Sequence, residues 1–126
     1  MDNKTNKQNL GSFGEDAAAA FLSKKGFTIL QRNFSFRLGE IDLIASEGEY
    51  LAFVEVKLRK NADYGEAKEF VTLSKQKRII LAAKMWLSRH PTELQPRFDV
   101  AEVYAPQGTK TCDPIFRYWE DAFSAD

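Results

Sequence analysis

Residues 39–59 read GEIDLIASEGEYLAFVEVKLR, and this stretch decides the fold of the chain. Apolar and charged residues alternate on both sides of a central Gly-Glu pair, which is the pattern of two strands joined by a tight turn. With a loop of two or four residues at this turn, Asp42 lies directly across from Glu55. The same register places Glu40 across from Lys57. A three-residue loop would shift the pairing by one residue and separate these side chains.

The two opposed carboxylates need an explanation, because cross-strand Cβ atoms lie only about 4.5–5.5 Å apart and like charges repel. A divalent cation that prefers oxygen ligands would convert the repulsion between Asp42 and Glu55 into binding. Lys57 lies on the same face, within reach of a phosphate oxygen or of a water molecule. The alternative is the solvated face of a half-exposed sheet, because the alternation predicts one charged face and one aliphatic face that includes Ile41 and Leu43.

The sequence on either side of this hairpin predicts one helix before it and a second helix and two strands after it. The predicted elements are helices at 11–25 and 72–89, strands at 27–36, 40–46, 50–58, 97–105 and 115–119, and a polar loop at 59–68. Residues 1–10 are predicted to form a flexible arm, and residues 11–126 a single domain.

The composition excludes several classes of protein. The chain has 126 residues, of which 44% are hydrophobic, enough for one real core. Cys112 is the single cysteine and His90 the single histidine, which excludes a disulfide framework, a Cys/His zinc site and a Ser–His–Asp triad within one chain. No apolar run is long enough to span a membrane, so we expect a cytoplasmic protein without a membrane partner. An enzyme of this composition would work with carboxylates, lysines and a hard metal ion.

Charge is distributed unevenly although 18 basic residues balance 18 acidic ones. Residues 57–89 contain nine basic and three acidic residues, whereas six acidic and two basic residues follow from position 99 onward. The basic stretch is typical of a phosphate-binding surface, but the solvated face of an ordinary helix is also rich in lysine.

Five ordered blocks of the sequence resemble one known family. They are Gly11-x-x-Gly14-Glu15, Gly39-Glu40-Ile41-Asp42-Leu43-Ile44, Phe53-Val54-Glu55-Val56-Lys57, Lys75-Gln76-x-Arg78 and Arg97-Phe98-Asp99-Val100. This set is similar to the YraN-type bacterial family, in the PD-(D/E)xK nuclease superfamily and near the archaeal Holliday-junction resolvases. The resemblance implies an α/β, restriction-endonuclease-like domain with an αβββαβ core, in which helices flank a mixed central sheet.

The resemblance also implies a metal site. Asp42 and Glu55 would be the main ligands of Mg²⁺ or Mn²⁺, with the backbone carbonyl of Val56 as a further ligand. Lys57 would position the attacking water or stabilise charge on the scissile phosphate. Glu15 matches the additional acid that resolvases use beside the metal. The alternative for Glu15 is a structural one, because an acidic residue in the first turn of a helix is favoured by the helix dipole alone.

Further residues are implied around this site. Gln76 precedes the apolar face of the second helix and is expected to order the site. The predicted nucleic-acid contacts are Lys75, Arg78, Arg59, Arg37 and Arg32.

Together these features predict a Mg²⁺- or Mn²⁺-dependent nuclease that hydrolyses phosphodiester bonds in DNA, with branched, Holliday-junction-like DNA as one candidate substrate. A homodimer is implied by the resolvase relatives and would join two basic helix faces. Two alternatives stay open: a non-catalytic nucleic-acid-binding module on the same fold, and a structural or interaction protein whose charged face is incidental.

Overall fold

The computed structural model describes residues 6–60 and 71–125 of the chain. The predicted order of a helix, three strands, a helix and two strands is confirmed. The elements are α1 (Asn6–Lys24), β1 (Thr28–Phe36), β2 (Gly39–Glu47), β3 (Tyr50–Arg59), α2 (Leu73–Arg89), β4 (Gln95–Tyr104), a short 3-10 helix (Gly108–Lys110) and β5 (Ile115–Phe123). Most of the polar loop predicted at 59–68 lies outside the described residues.

The five strands form one mixed sheet in the order β1-β2-β3-β4-β5. Neighbouring strands are antiparallel except for β3 and β4, which run parallel. A parallel pair requires the chain to cross back over the sheet, and α2 lies within that connection. This α/β architecture, with one mixed sheet and two helices, is the fold class that the sequence predicts.

Apolar side chains cover both faces of the sheet. On the face of α2, Phe53 belongs to a core cluster with Ile79. On the opposite face, Val54 packs in a second cluster with Leu22 of α1. The prediction of one aliphatic and one charged face is therefore wrong for the middle of the hairpin, because a helix lies on each side. Charged side chains collect on the α2 face of β3 only beyond Phe53, beginning with Glu55.

The turn between β2 and β3 sets the register of the hairpin. Gly48 and its neighbour form a two-residue loop, and Gly48 has a φ of 56°, a left-handed conformation that glycine adopts without strain. Five cross-strand pairs follow the register that predicts Asp42 opposite Glu55, and the last of them is Leu43 with Val54. The pairing of the two strands ends there, just before the two carboxylates.

β2 departs from regular alternation at Asp42. Asn33, the residue of β1 that would pair with Asp42, has a φ of 54°, and the β1–β2 register passes over this pair. Ile41 packs in the cluster of Ile44 and does not share the face of Leu43, as strict alternation predicted. That prediction is wrong because the left-handed backbone at Asn33 interrupts the regular pairing beside Asp42.

α1 begins at Asn6 rather than at the predicted Gly11, so the second half of the predicted arm is helical. Residues 1–5 of that arm lie outside the described residues. The helix ends at Lys24, and Gly26 follows with a φ of 99°, a left-handed conformation that closes helices. The predicted stop at this glycine is confirmed.

α2 begins directly after Thr72, whose hydroxyl oxygen accepts a 3.1 Å hydrogen bond from the backbone amide of Lys75. Ile79 and other apolar residues at helical spacing are buried, as predicted. Gly39 of β2 lies against this helix so closely that a Cβ atom would overlap the carbonyl oxygen of Arg78. Glycine therefore allows the first half of α2 to lie against the start of β2.

A buried ion-pair network holds β4, β5 and the hairpin together. Nε and Nη2 of Arg97 donate to the carboxylate of Asp99 at 2.9 and 3.0 Å. Asp99 is 0% exposed and also accepts hydrogen bonds from the Tyr118 hydroxyl at 2.6 Å and the Asp121 amide at 2.9 Å. Arg97 also reaches Glu47 at 3.4 Å. The network satisfies a charge pair that would otherwise be costly to bury.

Neither α1 nor α2, the α-helices of the described residues, is long and apolar enough to cross a lipid bilayer.

Candidate functional site

A cleft of about 470 Å³ lies where α1, the hairpin and the start of α2 meet. It contains every residue that the sequence predicts as a metal ligand, together with Lys57 and Lys75. Its lining residues are Leu10, Gly11, Gly14, Glu15, Glu40, Asp42, Glu55, Val56, Lys57, Leu58 and Lys75. None of the described residues that line a second cleft, of about 370 Å³ beside Lys60 and Pro106, is acidic.

Asp42 is fixed to the neighbouring strand by its side chain. Its Oδ2 accepts a 2.8 Å hydrogen bond from the backbone amide of Val56. Burial, followed by the negative charge of Glu55, raises the pKa of Asp42 to about 7, although the hydrogen bond from Val56 acts in the opposite direction. At neutral pH this carboxyl group is therefore poised between its protonated and ionised forms.

Glu55 is the most deeply buried acid of the cleft, with 3% of its surface exposed. Its Oε1 lies 2.8 Å from the ammonium nitrogen of Lys75 at the start of α2. A buried carboxylate needs such a partner, because its desolvation would otherwise be strongly unfavourable. Lys75 was predicted to contact phosphate. In the structure it forms a salt bridge with a carboxylate of the cleft instead.

Lys57 is half-buried on the same face of β3 as Glu55. Burial lowers the pKa of Lys57, and the negative charge of Glu55 opposes this shift. Glu40, which the predicted register places across from Lys57, is exposed and lies beyond the 4 Å limit of a salt bridge with it. Lys57 therefore lines the cleft without a salt bridge to any carboxylate in the described part of the chain.

Glu15 enters the cleft from the middle of α1. Because α1 has no acidic residue in its first turn, the helix dipole does not account for this residue. Its Oε1 is buried and accepts no hydrogen bond from the described residues, although Nη2 of Arg32 lies 4.0 Å away. Burial raises the pKa of the Glu15 carboxyl, while a hydrogen bond from Asn33 and the charge of Arg32 lower it.

Two of the predicted nucleic-acid contacts face acidic side chains instead of open solvent. Nη2 of Arg32 donates to Oδ1 of Asp16 on α1 at 2.6 Å. Nε of Arg59 lies 3.5 Å from Oε2 of Glu102, which is completely buried on β4. Neither arginine lines the cleft.

The other predicted residues lie around the start of α2 and the β1–β2 turn, outside the lining of the cleft. Nε2 of Gln76 donates a 2.9 Å hydrogen bond to the carbonyl oxygen of Val71 and so holds the beginning of α2. Arg37 and Arg78 are exposed.

Sequence reasoning missed Asn33. Its left-handed backbone lies beside Asp42, and its side chain lowers the pKa of the Glu15 carboxyl. Asparagine adopts positive φ more readily than most residues, but nothing in the strand pattern of residues 27–36 indicated that it does so here.

Comparison with known proteins identifies the family of the chain. Residues 14–103, well over half of the sequence, match the family described as "Uncharacterised protein family UPF0102". The chain belongs to UPF0102. The family membership expected from the five sequence blocks is thereby confirmed.

Individual UPF0102 proteins are similar over most of their length. A UPF0102 protein of Rhodococcus opacus (strain B4) is 46% identical over 117 residues, which cover 90% of this chain and 95% of the relative. One from Symbiobacterium thermophilum is 46% identical over 120 residues, covering 94% and 98%. One from Desulforapulum autotrophicum is 49% identical over 105 residues, covering 82% and 85%.

The donor set of this UPF0102 cleft fits a hard divalent cation. Its acids supply only oxygen atoms, which Mg²⁺ and Mn²⁺ prefer. Among the described residues no three or more Asp, Glu, His or Cys side chains are gathered closely enough to enclose an ion. Mg²⁺ is usually held by one or two carboxylates and completes its shell with water and substrate oxygens, so Asp42 and Glu55 suffice as a nucleus. Glu15, whose Oε1 accepts no hydrogen bond from the described residues, is a further oxygen donor lining the same cleft.

Proposed function

We propose that this UPF0102 protein is a Mg²⁺- or Mn²⁺-dependent nuclease that hydrolyses phosphodiester bonds in DNA. The observation that carries the proposal is the convergence of Asp42, Glu55 and Lys57 in one cleft, with Glu15 arriving from a separate helix. A lone pair of acids on a sheet is common. Two acids and a lysine at the point where strand pairing ends, with a partly buried third acid from α1 in the same cleft, are better explained by a chemical role than by an ordinary solvent-exposed surface.

In this proposal Asp42 and Glu55 hold the cation, and Glu15 and the backbone of Val56 supplement them. When bound, the cation would neutralise charge on the phosphate and make a hydroxide nucleophile accessible near neutral pH. Asp42 is oriented for this role, because the Val56 amide donates a 2.8 Å hydrogen bond to its carboxylate.

Lys57 is proposed to bind a non-bridging oxygen of the scissile phosphate. An ammonium group in a partly buried cleft interacts more strongly with developing negative charge than it would in water. Lys57 is available for this role because none of the described carboxylates lies within salt-bridge distance of it, in contrast to Lys75.

The proposed substrate is DNA, with branched DNA such as a four-way junction as the first candidate. Arg37 and Arg78 are exposed and remain the best candidates for contacts with its phosphates. Since the net charge of the chain is zero, we propose that a homodimer brings two basic α2 surfaces to one DNA molecule. We place this activity in the cytoplasm, since a chain with the single cysteine Cys112 forms no internal disulfide.

One observation favours a second candidate, a non-catalytic module that binds nucleic acid. The ion pair between Lys75 and Glu55 neutralises part of the negative charge of the cleft without any metal. A protein that had lost turnover would benefit from such a pair, because it stabilises the fold with the acids left in place.

A cleavage assay distinguishes these candidates. Linear, single-stranded and four-way-junction DNA are incubated with the protein in Mg²⁺, in Mn²⁺ or in EDTA. We expect cutting that requires the cation and falls at least about 100-fold in Glu55→Gln and in Lys57→Gln. Exposed residues of the same types away from the cleft and from α2, Glu49 and Lys24, provide the matched controls Glu49→Gln and Lys24→Gln, which should retain activity.

The other outcomes are equally informative. Cutting that persists in both cleft variants would indicate a contaminating nuclease and reject the proposal. Junction binding without cutting in either metal would favour the non-catalytic module. Absence of both metal and nucleic-acid binding would favour a structural or interaction protein.

A further inference from the structure

Lys75 contacts a carboxylate of the cleft for which a bound cation would compete. Its ammonium nitrogen lies 2.8 Å from Oε1 of Glu55, the oxygen of a carboxylate that is only 3% exposed. A buried carboxylate with this much lost hydration requires a positive charge beside it. In the protein without metal, Lys75 supplies that charge.

The backbone at Lys75 is held by hydrogen bonds that do not involve its side chain. The Thr72 hydroxyl caps its amide at 3.1 Å, and the next residue, Gln76, donates at 2.9 Å to the carbonyl oxygen of Val71. The lysine side chain itself is a flexible four-carbon stem. The ammonium group can therefore leave Glu55 while the first turn of α2 stays in place.

The net charge of the cleft is consistent with release of Lys75 from Glu55 by a divalent cation. Among the described residues, four acidic and two basic side chains line it, which gives a formal charge of −2 when all six are ionised. A single divalent cation would balance that charge with Lys75 still in the cleft but released from Glu55. The ammonium group and the cation would otherwise compete for the same carboxylate oxygen.

We propose that Lys75 is the resident counter-cation of the cleft in the metal-free protein, and that it is released from Glu55 when a divalent cation binds. This inference rests on the proposed function, which supplies the cation. The released ammonium group, still anchored at the start of α2, is then free to contact an anionic substrate such as a phosphodiester. Lys75 would thus act first as a stand-in for the metal and afterwards as a phosphate ligand.

Calorimetric titration of the full chain with Mn²⁺ tests this inference without measuring activity. Removing a competing positive charge should lower the Mn²⁺ dissociation constant of Lys75→Gln about tenfold relative to the unmodified protein. Lys77→Gln removes the same charge from an exposed position on the same helix outside the cleft, and its affinity should stay unchanged. Lys75→Arg keeps the charge and should bind Mn²⁺ no more tightly than the unmodified protein.

A second measurement covers the case in which Lys75→Gln folds poorly. In the unmodified protein labelled with ¹⁵N-lysine, Mg²⁺ should shift the side-chain nitrogen signal of Lys75 and leave that of Lys77 in place. Equal or weaker Mn²⁺ binding by Lys75→Gln, or a Lys75 signal that Mg²⁺ does not move although it binds, would overturn the counter-cation inference alone. Failure of every variant and of the unmodified protein to bind either cation would overturn the proposed function as well.

Discussion

Oδ2 of Asp42 accepts a 2.8 Å hydrogen bond from the backbone amide of Val56, so a side chain of β2 binds the main chain of β3 where pairing between the two strands has ended. This contact places the Asp42 carboxyl beside Glu55, at the cost of burying two acids together. The fold itself therefore assembles the site. The unfavourable burial of the two acids can be measured through its effect on the free energy of unfolding.

The raised pKa of Asp42 predicts a stability that depends on pH. Its pKa is about 7 in the folded protein against an ordinary value of 3.8, so the folded state binds this proton more tightly than the unfolded state. The free energy of unfolding should therefore fall as pH rises from about 4 to about 7 and then level off. In EDTA, Asp42→Asn removes this penalty, and its stability relative to the unmodified protein should increase by roughly 2 kcal/mol between pH 5 and pH 8.

Urea unfolding at the two pH values measures this difference directly. Glu49→Gln is the control, because Glu49 is an exposed acid of the β2–β3 turn outside the cleft. Its stability relative to the unmodified protein should change much less with pH. A relative stability of Asp42→Asn that is the same at pH 5 and pH 8 would contradict the electrostatic account of the site.

Glu15→Gln should separate metal binding from folding. The Oε1 atom of Glu15 accepts no hydrogen bond from the described residues, and its ion pair with Arg32 is long at 4.0 Å, so the substitution should change the free energy of unfolding by no more than about 1 kcal/mol. If Glu15 completes the metal site, Mn²⁺ affinity measured by calorimetry should fall about tenfold. Glu49→Gln, at an exposed acid outside the cleft, should bind Mn²⁺ normally, and equal affinities in the two variants would remove Glu15 from the site.

Gly39→Ala should destabilise the protein through overpacking against α2. The added methyl group would overlap the carbonyl oxygen of Arg78, so helix and strand must move apart at a cost of about 3 kcal/mol. Gly11→Ala is the matched control, because nothing lies within 4 Å of its Cβ position and alanine favours a helix. Thermal unfolding should show a lower melting temperature for the first variant and an equal or higher one for the second.

The buried network at the other end of the sheet should behave as a unit. Asp99→Asn leaves Arg97 poorly compensated, and we expect the free energy of unfolding to fall by about 3–5 kcal/mol. Arg97→Met should cost a similar amount, and the double variant should cost clearly less than the sum of the two. Urea unfolding gives all three values, with exposed Glu93→Gln as the neutral control. Additive effects would show that the two side chains are not coupled.

The hairpin could be predicted from sequence because strands have a period of two and loops of two or four residues give the same register. Those two facts sufficed to predict five cross-strand pairs and the meeting of Asp42 with Glu55 in one cleft. The same alternation failed at Ile41, because the left-handed backbone of Asn33 on a neighbouring strand interrupts it. A periodic pattern carries no information about such an irregularity in another element.

The partners of the charged residues could not be predicted. The sequence around a lysine or arginine looks the same whether its side chain contacts solvent, a phosphate or a carboxylate. Lys75 forms a salt bridge with Glu55, and Arg32 forms one with Asp16, because elements that are distant in sequence pack side by side. Likewise, Glu15 was assigned to the first turn of a helix, and the earlier start at Asn6 removed that explanation.

The sequence by itself determined the order of the elements, the register of the β2–β3 hairpin and the set of acids available to the site, since these depend on local periodicity and turn length. Only the tertiary structure decided which of those acids are buried, that Val56 anchors Asp42 and that Lys75 neutralises Glu55. The physical reason is that burial and ion pairing depend on how helices cross the sheet. That crossing brings together residues such as 15, 42 and 75, whose separation in sequence carries no periodic signal.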